Sequence, residues 1–112
     1  LFFRLDEPMT ISARINHEKA QQFHMNASSS VQRIQVNGQI GEVQWNLSDS
    51  LSGEFFGATM DGSSGIILDN FALRGSGGTS LNGIPNSTLQ DFAALREYDL
   101  IIFQFGLNVA DN

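Results

Sequence analysis

Ile66-Ile-Leu-Asp-Asn-Phe-Ala-Leu73 and Leu100-Ile-Ile-Phe-Gln-Phe105 flank a glycine-rich turn, Gly75-Ser-Gly-Gly78, and a stretch of helical periodicity. The first run is apolar on both alternating faces, with Ile66, Leu68 and Ala72 on one and Ile67, Phe71 and Leu73 on the other. The second is broken only by Gln104. Runs of this kind predict strands covered from two sides, as in a parallel sheet. Between them, Pro85 followed by Asn86-Ser87 is a helix-start signal, with Asn86 or Ser87 as the N-cap. Leu89, Phe92, Ala93 and Arg96 then recur at i, i+3, i+4 and i+7, and Leu95 widens the stripe, which predicts a short amphipathic helix. Ile66 to Phe105 therefore reads strand–turn–helix–strand, a βαβ unit with a right-handed crossover.

Upstream of that unit the periodicity changes to two. Thr10 to Ile15 sets Ile11, Ala13 and Ile15 against Thr10, Ser12 and Arg14, and Glu42 to Leu47 sets Val43, Trp45 and Leu47 inward. Both predict strands with one buried face. Phe3 and Leu5 against Arg4 and Asp6 predict another, separated from the next by Pro8. Val31 to Val36 is a further candidate, closed by the hairpin signal Asn37-Gly38. Glu54 to Met60 reads as a strand, His17 to Asn26 as a short polar helical turn, and Asn26 to Ser30, Ser48 to Gly53 and Asp61 to Gly65 as loops. The expected organisation is a β-rich accessory segment over residues 1–65 followed by part of an α/β core over 66–112.

Composition narrows the function. A hydrophobic fraction of 41% is enough to build a core and too high for a disordered segment. A net charge of −6 leaves no basic patch to neutralise phosphates, which argues against a nucleic-acid partner. With no cysteine, a disulfide framework, a thiolate metal site and a cysteine nucleophile are excluded. No apolar run has the length of a membrane span. The start at Leu1 and the stop at Asp111-Asn112, just after an apolar strand candidate, read as an internal piece of a longer chain.

In open α/β sheets, ligands bind beyond the carboxyl ends of parallel strands. Here one expected strand end opens into Arg74-Gly-Ser-Gly-Gly78 and the other into Gly106-Leu-Asn108. A glycine turn offers unobstructed backbone N–H groups, and asparagine offers an amide donor. Convergent neutral donors are what an oxyanion hole requires. Both stretches carry a family resemblance. Tyr98-Asp-Leu-Ile-Ile-Phe-Gln-Phe-Gly-Leu-Asn108 resembles the third conserved block of SGNH/GDSL-type hydrolases, and Asp69-Asn-Phe-Ala-Leu-Arg-Gly-Ser-Gly-Gly-Thr-Ser80 resembles the second. The resemblance implies a serine esterase of flavodoxin-like α/β core, with the Gly78 N–H and the Asn108 side chain donating to the oxyanion. It also implies a nucleophilic serine in an upstream Gly-Asp-Ser block and a downstream Asp-x-x-His block, neither matched here. The layout is similar to that of bacterial carbohydrate or peptidoglycan O-acetylesterases, in which a jelly-roll-type β-sandwich interrupts the core. That implies an acylated carbohydrate or peptidoglycan substrate, no cofactor, and a periplasmic, cell-surface or secreted location.

Each of these residues also has a plainer use. The glycine turn can be an ordinary connection, and Asn108 can cap a following helix. Ser50, in Ser48-Asp-Ser-Leu-Ser52, is a rival nucleophile, but the segment after it is a poor helix and a polar β-turn is the better reading. His17 and His24 lie seven positions apart (24 − 17), not at the helical spacing of a metal pair, and read as surface residues. Trp45 shares the inward register of Val43 and Leu47, so a core role outweighs sugar stacking. Asp69 and Asn70 could bind an ion or orient the glycine turn, but Asn70 satisfying loop backbone at the domain junction is the better reading, and Asp49, Asp61 and Asp111 read as solvated loop residues. The second function class is a non-catalytic β-sandwich module for carbohydrate or a protein partner.

Overall fold

The computed structural model describes residues 1–48 and 52–106. The chain divides into two compact units, Leu1–Thr59 and Met60–Asn112.

Among the described residues the first unit holds six strands: β1 (Phe2–Leu5), β2 (Met9–Ile15), β3 (Gln21–Met25), β4 (Gln32–Arg33), β5 (Val43–Leu47) and β6 (Gly53–Gly57). They form two antiparallel three-stranded sheets, ordered β4-β1-β6 and β3-β2-β5. The two central strands carry the most deeply buried side chains. Phe3 and Leu5 of β1 and Ile11 of β2 are almost wholly shielded from solvent. With Met9 and Ile34 they make one core drawn from both sheets, and Phe23, Met25, Trp45 and Phe55 pack around it. The alternation read in Thr10–Ile15 and Glu42–Leu47 is realised as β2 and β5, paired Ala13 to Trp45 and Ile15 to Val43.

Two turns depart from expectation. Asn37-Gly38 does not close a hairpin, since β4 pairs with β1 while β5 pairs with β2. The stretch is instead the crossover from one sheet to the other. Asn16 holds its far end: its side-chain N–H donates to the Gln39 carbonyl at 2.7 Å, and its Oδ1 accepts from the N–H of Gly41 at 2.8 Å and of Glu42 at 3.1 Å. Residues 21–25, expected as a helical turn, are edge strand β3, which puts Phe23 opposite Ile11 and Met25 opposite Met9.

The second unit departs further. Among its described residues the elements are a 3-10 helix over Thr79–Gly83 and helix α1 over Asn86–Arg96. Helix α1 begins one residue earlier than an Asn86 N-cap would place it. Pro85 occupies the cap position and its carbonyl accepts from the Leu89 N–H at 3.2 Å. Proline brings no side-chain acceptor to the cap position, so the first N–H groups of α1 receive no side-chain cap. Glu97 ends the helix at φ 50°, its N–H returning to the Ala93 carbonyl.

Neither flanking apolar run is a strand. Residues 66–73 and 100–105 have no ladder partner, and Ile66, Leu68, Phe71, Leu100, Ile102 and Phe103 are exposed. The expected fold, a jelly-roll-type β-sandwich followed by a βαβ unit of a flavodoxin-like α/β core, is therefore corrected. The chain is a β-rich fold of two small antiparallel sheets, with a helical second unit. The physical reason is that an apolar run of strand length specifies burial, whereas a strand also needs a neighbouring backbone to take up its N–H and C=O groups. Within the described residues neither run finds one.

Candidate functional site

The glycine turn of the second unit is built from backbone outward. Gly75 (φ 76°) and Gly78 (φ 86°) both adopt the left-handed conformation that side chains disfavour. The Ser76 N–H donates to the Leu73 carbonyl at 3.2 Å, and the Gly78 N–H donates to Ser76 Oγ at 3.1 Å. Ser76 Oγ also lies 3.1 Å from Ser80 Oγ, so one hydroxyl ties the turn to the 3-10 helix behind it. The Gly78 carbonyl starts that helix by accepting from the Leu81 N–H at 3.0 Å.

Gly78 is glycine for a second reason. A Cβ there would stand 2.9 Å from Cδ2 of Phe105 and within 3.2 Å of two further ring atoms. The aromatic face of Phe105 thus lies directly on the Gly78 backbone. At Gly75 the surrounding space is open, so only its φ demands glycine. Asn108, the expected side-chain donor, lies outside the described residues, as does Ser50. Phe105, three residues before Asn108 (108 − 105), is the nearest part of the third block whose contact with Gly78 is defined.

The second unit also holds a cluster that spacing did not suggest. Arg96, at the end of α1, donates from Nε to Asp69 at 2.8 Å, from a terminal nitrogen to the other Asp69 oxygen at 2.9 Å, and from its second terminal nitrogen to Asp61 at 2.7 Å. The Tyr98 hydroxyl donates to Asp69 at 3.0 Å, and its ring meets Phe71 edge-on. Arg96 and Asp69 retain only 11% and 14% side-chain exposure, so this two-pronged pair sits in a medium where charge interactions count. Its hydrogen bonds to Asp61 first, and to Asp69 second, hold the guanidinium far above its ordinary pKa. Burial first, and the bond to Asp69 second, raise the Tyr98 phenol. Asp61, expected as a solvated loop residue, is an ion-pair partner, and Arg96, expected on an apolar stripe, is a polar anchor. Asn70 takes the backbone role expected of it, accepting from the Ala72 N–H at 2.9 Å.

In the first unit, His17 pairs with Glu42 at 3.3 Å and His24 Nδ1 lies 2.9 Å from Thr10 Oγ1. Trp45 packs against the core. Among the described residues, no three His, Asp or Glu side chains are gathered as a metal ion would require, and no helix is long and apolar enough to cross a membrane. Comparison with protein-family models, curated proteins and solved structures gives no match to this chain.

Proposed function

We propose that this chain is part of a serine ester hydrolase of the SGNH type, acting on an acylated carbohydrate or peptidoglycan, with the glycine turn supplying a backbone donor to the reaction's oxyanion. The observation that supports this reading is the seating of Phe105 on Gly78. It brings the turn of the second block against the end of the third, although no sheet ladder joins them. In this reading a serine supplied by flanking sequence attacks the ester carbonyl, and a histidine oriented by an aspartate takes the serine proton. The negative charge that develops on the carbonyl oxygen is met by the Gly78 N–H, the Asn108 amide and the N–H of the nucleophile. Collapse of the tetrahedral species expels the alcohol, which regains a proton from the histidine. Water then releases the acyl group by the same route.

The Gly78 N–H donates to Ser76 Oγ at 3.1 Å, and in this reading it exchanges that hydroxyl for the carbonyl oxygen of the substrate. Such an exchange favours the transition state over the ground state, since an anionic oxygen is the stronger acceptor. By the same reading residues 1–112 alone do not turn over ester, because the nucleophile and its base lie elsewhere.

The test is turnover of p-nitrophenyl acetate by the parent enzyme and its Asn108→Ala variant. Loss of one oxyanion donor lowers kcat by about a hundredfold to a thousandfold. Equal kcat in a folded Asn108→Ala enzyme removes Asn108 from the site and with it the assignment of both blocks.

A further inference from the structure

Two Asn-Gly pairs occur in the chain, Asn37-Gly38 and Asn82-Gly83, each preceded by an aliphatic residue, Val36 or Leu81. Such a pair has a chemistry of its own. The glycine nitrogen can attack the carboxamide carbon of the asparagine before it, since no Cβ on glycine shields that nitrogen. A bond forms between the glycine nitrogen and asparagine Cγ, the Cγ–Nδ2 bond breaks, and ammonia leaves with the proton of the glycine nitrogen. Water then opens the cyclic imide at one of its two carbonyls. Opening at the side-chain carbonyl gives aspartate. Opening at the main-chain carbonyl gives isoaspartate, whose backbone runs through Cβ and Cγ and is one atom longer. Water is the only co-reactant, and nothing is oxidised or reduced.

The two pairs stand in opposite surroundings. Asn82-Gly83 lies within the 3-10 helix Thr79–Gly83. Such a helix commits each N–H to the carbonyl three residues back, and the Ile84 N–H, donating to Leu81 at 3.1 Å, closes the last turn over the pair. Attack on the Asn82 carboxamide would require that turn to open. Asn37-Gly38 lies in the crossover between the two sheets. The crossover is tied at Ile34, whose N–H donates to the Leu1 carbonyl at 3.0 Å, and again at Gln39, whose carbonyl accepts from Asn16. Between those ties Asn37 and Gly38 are exposed. A Cβ on Gly38 would meet nothing within 4 Å. Among the described residues no backbone hydrogen bond occupies the Gly38 N–H. The nitrogen therefore has room to turn without breaking anything.

One contact does more than leave the pair free. Gln35 Nε2 donates to Asn37 Oδ1 at 3.0 Å. That oxygen is where negative charge gathers as the Gly38 nitrogen adds to Cγ. A donor already placed on a developing oxyanion lowers the barrier to the addition.

We propose that Asn37 is a self-modifying site: in the folded chain it deamidates through a cyclic imide with Gly38, assisted by Gln35, while Asn82 is protected. Each event turns a neutral side chain into a carboxylate on a chain of net charge −6. The isoaspartyl product also lengthens the strap between the two sheets by one backbone atom. The site uses no residue of the proposed oxyanion turn and is independent of the ester-hydrolase reading.

The test holds the 112-residue chain in mildly alkaline buffer and digests samples with trypsin over time. Cleavage after Arg33, Arg74 and Arg96 puts the two pairs on separate peptides. Mass spectrometry follows the gain of one mass unit, and fragmentation assigns it to Asn37 rather than to Asn46 or Asn70 of the same peptide. Asn37 is expected to convert at least about tenfold faster than Asn82, the rate equivalent of one or two hydrogen bonds kept in place. In concentrated denaturant the two pairs should convert at similar rates. Gln35→Ala should slow Asn37 by about threefold to tenfold in the folded chain, the range for one lost donor, and should leave its rate in denaturant unchanged. Similar rates for the two pairs in native buffer, or a faster Asn82, overturn the proposal, and that comparison needs no variant. A folded Gln35→Ala chain that converts at the wild-type rate, or one slowed equally in denaturant, overturns the assistance by Gln35.

Discussion

Gly53→Ala should undo the pairing of β1 with β6, and its cost can be worked from the backbone. Gly53 sits at φ 155° opposite Leu5. Alanine there carries a conformational penalty of about 1–3 kcal/mol. Its Cβ would also stand 2.3 Å from the Arg4 carbonyl oxygen and 3.0 Å from Leu5 Cα. Both are backbone atoms of the central strand, so no side-chain rotation relieves the overlap. To make room β6 must withdraw, which loosens the stacking of Phe3 on Phe55 (centroids 5.9 Å apart) and the Arg4–Glu54 ion pair. The aromatic pair alone is worth about 0.5–1.5 kcal/mol. Together these give a loss of about 4 kcal/mol, which with a urea m-value near 2 kcal/mol/M lowers the unfolding midpoint by about 2 M. Trp45, the sole tryptophan and part of the core wall, reports the transition by fluorescence. Gly57→Ala is the matched control: φ is 137°, but nothing stands within 4 Å of its added carbon. It should lose only the conformational part. If the two variants unfold within about 0.5 kcal/mol of each other, the resolution at which such differences add independently, the close approach of β6 to Arg4 is refuted.

In the second unit, Gly78→Ala and Phe105→Leu should couple: the double variant should be less damaged than the two single losses summed, by about 0.5–3 kcal/mol in a thermodynamic cycle, and strict additivity would deny the Gly78–Phe105 contact. Tyr98 should titrate, by ultraviolet absorbance, above the usual phenol value of about 10. A folded-state pKa raised above the unfolded one means that this group's contribution to stability is complete below the unfolded pKa and is lost as pH rises through the folded one. Asp69→Ala should move the midpoint part of the way back, since burial is the larger cause and the hydrogen bond the smaller; an unchanged midpoint would show that Asp69 does not hold the phenol.

How much could be read in the chain depended on whether the deciding contact was local. Strands β2 and β5 were legible because Ile11, Ala13, Ile15 and Val43, Trp45, Leu47 repeat at the period of a half-buried strand. Strand β3 was not, since Gln21-Gln22-Phe23-His24-Met25 lies at a sheet edge and offers only Phe23 and Met25 to the core. Asn37-Gly38 has hairpin chemistry, but turn chemistry states how the chain bends and not which sheet the next strand joins. The apolar runs at 66–73 and 100–105 were legible as apolar and misleading as strands, because ladder partners are not encoded in the run itself. In the candidate site, the need for glycine at the turn was legible. The Phe105 contact, and the grip of Arg96 on partners 27 and 35 residues away, were not.

The first and last strands of the first unit, β1 and β6, run side by side. Phe2 faces Gly57 across the ladder, and the amino group of Leu1 is tied to the Ile34 carbonyl at 3.0 Å. Facing residues of an antiparallel pair stand about 5 Å apart, so a host surface turn needs only two neighbouring attachment points to carry the whole unit. The stretch from Phe2 to Gly57 therefore has the geometry of a portable cassette. It can be transplanted into an exposed turn of an unrelated scaffold without stretching that scaffold, taking its glycine-pinned β1–β6 seam along as the clasp.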